Sequence, residues 1–339
     1  MIREDPLRIL ILVVKRVGEI LVTTPLIRAL RKAYPHAEIT AVVDRGYEEI
    51  LQDNPYVDRL VLLNPEDSPL AFLKKSAKLS RRGFDVTVDV LANPRSALIT
   101  LMTGSPVRFG PDRRIRKWAY NRTIPAPGGS SPYIVDQRLS ILRVLGRRTD
   151  GVGLDIFIDS SSRLKGEKLL AANGIGSKDG FVTLAPVSLR RWKLWPPEEY
   201  ARVGDYLTVE RNRKVVLVCG PGEFHFLERV GSLMTTKPAA AVEFDSLKVL
   251  AHVLSRSVLH VGNNGGIQYM ATAAGVPTIT IFGPGNAEIW NEGGNPQRVA
   301  LWKEMECRRP GCFRSCPYEY ACLRQVTFAD LKRSIDSFA

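Results

Sequence analysis

A glycine-rich turn in the last third of the chain contains the residue types needed to bind a phosphate group. The sequence VLHVGNNGGIQYMATAAGVPTITIFGPG spans residues 258–285. It predicts a strand, a turn that contains Gly265 and Gly266, a helix from Ile267, and a second strand. Glycines let a ligand approach the backbone, and the first N–H groups of a helix are available to an anion. An ordinary tight turn of an α/β domain is the other interpretation.

A carboxylate, Glu19, follows the first apolar run of the chain. That run, Ile9 to Val14, is typical of a central parallel strand, and we expect residues 15–19 to form the turn after it. Ligands of parallel α/β sheets bind outside the carboxyl ends of the strands, so Glu19 is expected at this edge. A carboxylate in that place can act as a general base. The alternative is a solvated acid in the first turn of a helix.

Four of the five cysteines lie close together near the end of the chain. They follow the spacing C-x4-C-x3-C-x5-C and are Cys307, Cys312, Cys316 and Cys322. Four thiols can hold zinc or iron in a tetrahedral site, although the short C-x2-C spacing of common zinc sites is absent. Disulfides are not expected in a reducing cytoplasm. The segment therefore has two interpretations, a structural metal site or free thiols that pack a loop.

The formal charge of +13 is concentrated in one part of the 339-residue chain. Residues 71–150 contain 16 Lys and Arg but only 5 Asp and Glu. This surplus predicts an anionic partner, such as a phosphorylated lipid or a membrane surface, with a basic solvated face as the alternative. Since no apolar run approaches the roughly 18 residues that span a bilayer, we expect a cytoplasmic protein.

Apolar runs and helical periodicities alternate along the chain and predict a doubly wound α/β protein. The pattern restarts at Phe181, which indicates two Rossmann-like domains, residues 1–160 and 161–339. Thr327, with Asp330 three residues later, is expected to cap a final helix.

Several ordered motifs resemble glycosyltransferase family 9, the ADP-heptose:lipopolysaccharide heptosyltransferase family. The matching segments are VGEILVTTP at 17–25, LRKAYP at 30–35, KLWPPE at 193–198, GPGE at 220–223, GNNGGIQYMATAAGVP at 262–277 and FGP at 282–284. The cysteine-rich tail is also similar to one carried by many relatives. The resemblance covers nearly the whole chain.

The resemblance implies a GT-B fold, in which two Rossmann-like domains with parallel sheets face each other across a cleft. The N-terminal domain would take the acceptor and the C-terminal domain the nucleotide sugar. The family moves a sugar, typically heptose from ADP-heptose, onto the inner core of lipopolysaccharide or a related surface glycan. It inverts the anomeric centre and needs no metal for the chemistry. Such an enzyme would act in the cytoplasm, peripherally on the inner face of the plasma membrane.

The resemblance also assigns roles to individual residues. Glu19 is the expected catalytic base, and Lys193 is the cation expected on the pyrophosphate. The expected donor-side residues are Ser188, Lys193, Glu223, Asn264, Gly265, Gly266, Ile267 and Tyr269. An ordinary surface lysine is the alternative for Lys193, and an acid at a helix N-terminus is the alternative for Glu223. Basic side chains in the acceptor half suit a phosphorylated or acidic glycolipid, since arginine forks bind phosphates and carboxylates; they are Arg95, Arg113, Arg114, Arg116 and Lys117.

Three positions depart from the family pattern. Glu19 replaces the usual Asp, Asn264-Gly265-Gly266 replaces Asp-Ser/Thr-Gly, and Tyr269 replaces His. The alternative function is therefore a non-catalytic or donor-reassigned paralogue that binds a nucleotide or a glycolipid. A nucleic-acid binder is disfavoured because no RNA or DNA module is recognisable. A nicotinamide dehydrogenase is disfavoured because no G-x-G-x-x-G follows the first strand.

Overall fold

The protein was analysed as a computed structural model that describes residues 7–112, 114–124, 132–307 and 311–338, without the side chains of residues 114 and 115. Contacts divide the chain into two compact units, Met1–Phe157 and Ile158–Ala339. Within the described residues, each unit contains one six-stranded parallel sheet. The α/β class and the two Rossmann-like units predicted from the sequence are confirmed.

The first unit alternates strands and helices from its first described residues. Its strands are β1 (Arg8–Val13), β2 (Glu38–Asp44), β3 (Arg59–Leu63), β4 (Val86–Asp89), β5 (Val107–Pro111) and β6 (Arg122–Ile124). Its helices are α1 (Val17–Leu21), α2 (Thr24–Ala33), α3 (Pro69–Ser80), α4 (Pro94–Met102) and α5 (Ile134–Val144). The strand order is β3-β2-β1-β4-β5-β6, so the order reverses between β1 and β4.

The core of the first unit forms on both faces of β1. Alternate side chains of a strand point to opposite faces, and Leu10 and Leu12 face one side, where they pack with Val42, Phe72 and Ile99. Burial on both faces explains why β1 is a continuous apolar run. The expected turn at residues 15–19 is instead partly helical, because α1 begins at Val17.

The second unit repeats this architecture. Its strands are β7 (Phe181–Ala185), β8 (Lys214–Cys219), β9 (Ala240–Glu243), β10 (Leu259–Asn263), β11 (Thr278–Ile281) and β12 (Arg298–Leu301). Its helices are α6 (Ser160–Ala172), α7 (Pro197–Val209), α8 (Phe224–Leu233), α9 (Leu247–Arg256), α10 (Gly266–Ala273), α11 (Ala287–Trp290), α12 (Ala321–Arg324) and α13 (Phe328–Asp336). The order β12-β11-β10-β7-β8-β9 reverses between β7 and β10.

These reversals matter because ligands of open α/β sheets bind at the carboxyl ends of the strands where the order reverses. In the first unit the reversal lies between β1 and β4, next to α1. In the second unit it lies between β7 and β10, next to the glycine turn. Among the described residues, no helix combines the length and the apolar character that crossing a bilayer requires.

Candidate functional site

Glu19 lies in α1, directly after the carboxyl end of β1. Its carboxylate accepts a hydrogen bond from the guanidinium of Arg138 and lies 3.9 Å from the ammonium of Lys15. The side chain of Glu19 is 17 % exposed, and that of Arg138 is 3 % exposed. The acid is therefore neither fully solvated nor free to rotate, because a buried cation holds one of its oxygens.

Arg138 was not among the residues singled out from the sequence. It projects from α5 and also donates to the backbone oxygen of Glu19 at 2.8 Å and to Oγ1 of Thr23 at 2.6 Å. The Thr23 hydroxyl in turn donates to the Glu19 backbone oxygen at 2.7 Å. The signal for Arg138 was its place on the apolar stripe of a predicted helix, beside Val135 and Leu139, where a charge needs a buried partner.

The loop that follows β4 is held rigidly at the same edge of the first sheet. Asp89 is fully buried and accepts hydrogen bonds from the Tyr120 hydroxyl at 2.8 Å and from two backbone N–H groups of the loop. Desolvation raises the pKa of the Asp89 carboxyl. Ala92, whose N–H donates one of these hydrogen bonds, has φ +49°, a strained value for a residue with a Cβ. The amide of Asn93 donates to the Val14 oxygen at 3.3 Å and ties the loop to the end of β1.

Two of the predicted acceptor arginines are held by loops that follow strand ends. Arg95 donates to the Asn64 oxygen at 2.8 Å, and its guanidinium lies 4.9 Å from the centre of the Phe72 ring. Arg116 donates to the Ala92 oxygen at 3.0 Å. Both cations are therefore fixed near the carboxyl edge of the first sheet.

The other three predicted acceptor residues are less informative. Lys117 forms an exposed ion pair with Asp112 at 2.8 Å, a type of contact worth about 1 kcal/mol or less. Arg113 lies outside the described residues, and so does the side chain of Arg114.

A second acid, Asp44, ends β2 at the same edge and was missed in the sequence. Desolvation raises the pKa of Asp44, and the nearby Arg95 opposes that rise. Its Oδ1 atom is buried and makes no hydrogen bond within the described part of the chain. An acceptor of this kind suits a hydroxyl donor. Only the pairing of β2 with β1 brings this residue to the site.

The predicted glycine turn forms in the second unit. β10 ends at Asn263, Gly265 precedes the first helical turn, and α10 begins at Gly266. Among the described residues, no side chain caps the start of α10. Gly262 also needs to be a glycine, because a Cβ there would lie 2.8 Å from Nε2 of the buried His260. The turn thus presents helix N–H groups that an anion can accept.

Lys193 and Asn264 come together across the point where the strand order of the second sheet reverses. Lys193 lies in the loop after β7, and its ammonium donates to the backbone oxygen of Asn264 at 2.8 Å. The same ammonium lies 4.9 Å from the centre of the Trp192 ring. A fixed positive charge is thereby placed beside the start of α10.

Residues 186–196, between β7 and α7, form the loop that contains Lys193 and is called the lysine loop below. Asn263, to which the sequence analysis gave no role, fastens this loop to β10. Its side-chain oxygen accepts from the Trp195 N–H at 3.2 Å, and its amide donates to the Val187 oxygen at 3.2 Å. Trp195 is buried, and its indole N–H donates to the Val326 oxygen at 2.7 Å. These buried contacts explain how the lysine loop keeps a defined position.

Asn264 and Tyr269, which both depart from the pattern expected of the family, contact each other. The Tyr269 hydroxyl lies 3.0 Å from Oδ1 of Asn264 and 3.1 Å from the backbone oxygen of Trp290. Tyr269 is 7 % exposed, and its ring packs edge-on against Trp290. The tyrosine therefore orients the carboxamide of Asn264, and Ile267 follows in the first turn of the same helix.

Glu223 and Ser188 lie in other loops at the carboxyl edge of the second sheet. Glu223 precedes α8, and its carboxylate accepts from the Gly220 N–H at 3.3 Å. Ser188 lies in the loop after β7, and its hydroxyl accepts from the Arg190 N–H at 3.2 Å. The loops that follow β7, β8 and β10, together with the first turns of α10, thus carry all the predicted donor-side residues.

The four clustered cysteines line one cavity of about 280 Å³ beside Gly283 and Pro284. Desolvation raises the pKa of Cys322, and the three neighbouring thiols raise it further. In the described residues, no three ligating side chains converge as a metal site would require. The segment also supports the lysine loop, because the Phe313 ring packs on Trp192 with centroids 5.2 Å apart.

Comparison with known proteins identifies the family of the chain. The model of Glycosyltransferase family 9 (heptosyltransferase) matches residues 72–318. Lipopolysaccharide heptosyltransferase 3 of Escherichia coli K12 is 25 % identical over 315 residues, which cover 85 % of this chain and 89 % of that protein.

Two solved structures are similar over almost their whole length. The glycosyl transferase family 9 protein from Veillonella parvula has a TM-score of 0.88 at 22 % identity and covers 98 % of this chain and 97 % of its own. Escherichia coli heptosyltransferase WaaC, solved with ADP-2-deoxy-2-fluoro heptose, has a TM-score of 0.72 at 19 % identity and covers 98 % and 100 %. The predicted GT-B fold is confirmed, and the chain belongs to glycosyltransferase family 9, the heptosyltransferase family.

Proposed function

We propose that this glycosyltransferase moves a heptose from ADP-heptose onto a lipopolysaccharide-core or related cell-surface glycan, with inversion of the anomeric centre. The observation that carries the proposal is the contact of the Lys193 ammonium with the Asn264 backbone, at the start of α10. This contact joins a fixed cation to helix N–H groups that no side chain of the described residues caps, where an open α/β sheet binds ligands. The names of the relatives support heptose as the sugar and ADP as the nucleotide.

The acceptor hydroxyl must lose a proton as it attacks the anomeric carbon. Glu19 is the proposed general base, and it takes that proton on its carboxylate. Its contact with Arg138 supports the role, because a base whose orientation is fixed costs no reorganisation during the reaction. A base of this kind contributes roughly 10²–10⁴-fold to the rate.

The leaving group is ADP, and its growing negative charge needs preorganised donors. We assign this role to Lys193 and to the first N–H groups of α10, from Gly266 and Ile267. Neither group has to move far when the glycosidic bond breaks, because Asn263 and Trp195 fasten the lysine loop to β10. No metal is required for this step of the proposal.

The remaining donor-side residues are assigned to recognition. The carboxamide of Asn264, oriented by Tyr269, is proposed to hydrogen-bond sugar hydroxyls; as an amide it cannot act as acid or base. Glu223 is proposed to bind the ribose hydroxyls, and Ser188 to bind a phosphate oxygen. Their positions after β8 and β7 support these roles.

The domain of residues 1–160 is the proposed acceptor domain, and residues 161–339 form the nucleotide-sugar domain. Arg95 and Arg116 are proposed to bind phosphate or carboxylate groups of the acceptor, and the unpaired oxygen of Asp44 to accept one of its hydroxyls. With the basic charge of residues 71–150, this predicts peripheral association with the anionic inner face of the plasma membrane, from the cytoplasm.

We also propose that the cysteine cavity holds a structural zinc or iron ion. Cys307, Cys312, Cys316 and Cys322 would bind it, since thiolate ligands suit both metals. The ion would stabilise the tail segment that packs on Trp192 and would take no part in sugar transfer. Purified protein without zinc or iron in elemental analysis would refute this.

The decisive experiment is a transfer assay preceded by a nucleotide screen. Thermal shift with ADP, UDP, GDP and ADP-heptose should show stabilisation by ADP and ADP-heptose, which the Lys193→Ala variant should lose. Purified enzyme should then release ADP from ADP-heptose only with a lipopolysaccharide-core acceptor. Binding without turnover on any such acceptor would instead indicate a non-catalytic paralogue.

A further inference from the structure

A second concave surface lies at the opposite edge of the second sheet. This depression of about 420 Å³ is lined by charged and polar residues that include Lys178, Asp179, Gly180, Asn212, Arg213, Lys214 and Lys237. Residues 178–180 lead into β7, residues 212–213 into β8, and residues 237–239 into β9. It therefore lies at the amino ends of these strands.

The position separates the depression from the donor site. Lys193 and the turn before α10 follow the carboxyl ends of β7 and β10. A five-residue strand such as β7 is about 16 Å long, since the rise is about 3.3 Å per residue. A ligand in the depression would thus bind independently of the nucleotide sugar.

The depression carries an unbalanced positive charge. Four of the described residues that line it carry a positive charge, and one further lining residue, Asp179, carries a negative charge. Lys214 lies 2.6 Å from this carboxylate, and that hydrogen bond lowers the pKa of Asp179. Lys178, Arg213 and Lys237, by contrast, make no side-chain hydrogen bond or ion pair in the described ranges of the chain.

The guanidinium of Arg213 has a defined place within this surface. A Cβ on Gly180 would lie 2.7 Å from Nη1 of Arg213, so the guanidinium lies directly against the glycine backbone. Arginine in such a position can offer two parallel N–H groups to a phosphate, and the lysines can add point charges. The amide of Asn212, which also lines the depression, is a further donor.

We infer that this depression, formed by Lys178, Arg213 and Lys237 at the amino edge of the second sheet, is a second anion-binding site that takes a phosphate ester group. Three cations grouped without partners in the described part of the chain repel one another, and a bound phosphate relieves that repulsion. Because the surface is open and its cations are exposed, it suits a phosphate group at the end of a larger molecule or at a lipid headgroup.

The test compares two charge-matched double variants of the full chain. Arg213→Gln with Lys237→Gln removes two cations from the depression. Lys165→Gln with Lys168→Gln removes two exposed cations from α6 of the same unit. Circular dichroism and thermal unfolding of both variants check that each is folded.

Two probes distinguish the sources of phosphate. Inorganic pyrophosphate is titrated calorimetrically into protein whose donor site is saturated with ADP. Co-sedimentation is measured at low salt with phosphatidylcholine vesicles that contain about 30 mol % phosphatidylglycerol. Failure of ADP to bind the unmodified protein would count against the proposed transferase function, while the vesicle measurement would still test the depression.

We expect the depression variant to bind at least one probe about tenfold more weakly, and the α6 variant to differ less than about twofold from the unmodified protein. A loss with pyrophosphate alone assigns the site to soluble phosphate compounds. A loss with vesicles assigns it to lipid headgroups. Equal behaviour of the two variants with both probes, or no binding of either probe by the unmodified protein, would overturn the inference.

Discussion

Replacing Glu19 by Gln tests the proposed base most directly. The amide keeps an oxygen that can accept from Arg138, but it has no charge and cannot take a proton from a hydroxyl. Breaking a buried ion pair costs about 3–5 kcal/mol, but Arg138, 3 % exposed and still charged, keeps a hydrogen bond to the amide oxygen, and a hydrogen bond to a charged group contributes about 1.5–3 kcal/mol. The structure therefore predicts a stability loss of about 1–2 kcal/mol, or roughly 2–8 °C in Tm.

The effect on turnover should be far larger than the effect on stability. Loss of a general base lowers kcat by roughly 10²–10⁴-fold. ADP affinity should not change, since Lys193 and the start of α10 belong to the other unit. The measurements are ADP release from ADP-heptose with acceptor present, calorimetric ADP titration, and urea unfolding.

Glu38→Gln is the matched control. Glu38 also contacts arginines, through Arg59 and at 3.8 Å from Arg8, but it begins β2 at the amino edge of the first sheet. This variant should keep kcat within about twofold of the unmodified enzyme. If folded Glu19→Gln protein also keeps kcat within about threefold, Glu19 is not the base. Equal losses of kcat in both variants would instead mean that removing a negative charge from the first unit lowers kcat wherever the charge lies.

Three further changes test the second unit. Lys193→Ala should lower kcat/KM by about 10²-fold and weaken ADP binding in calorimetry, because a fixed cation is lost; unchanged ADP affinity would contradict its role. Tyr269→Phe frees the Asn264 carboxamide, so KM for the donor should rise and urea unfolding should show a loss of about 1 kcal/mol; no change in either would refute the contact. Asp159 caps α6, and hydrogen bonds from Ser162 lower its pKa from 3.8 to about 2. Its stabilisation is present above 3.8 and is lost as the pH falls through about 2, so Asp159→Asn should flatten the acid limb of the unfolding profile; identical acid limbs would contradict this.

The architecture was predictable because its signals are local. A run such as Ile9 to Val14 must be buried on both faces, and parallel strands meet that need. Thr327 and Asp330 form the expected capping box at the start of α13, since a cap depends on residues three positions apart. The glycine turn before α10 was equally visible. The pairing of Lys193 with this turn came from the family resemblance.

The sequence by itself determined the two Rossmann-like units, the glycine turn before α10 and the family, because periodicity, glycine placement and ordered motifs are properties of neighbouring residues. Only the tertiary structure decided which side chains surround each of the predicted site residues. Arg138 reaches Glu19 across 119 positions of the chain, and Asn263 reaches Trp195 across 68. Such contacts depend on which strands pair and which helix faces pack, and no local pattern encodes them.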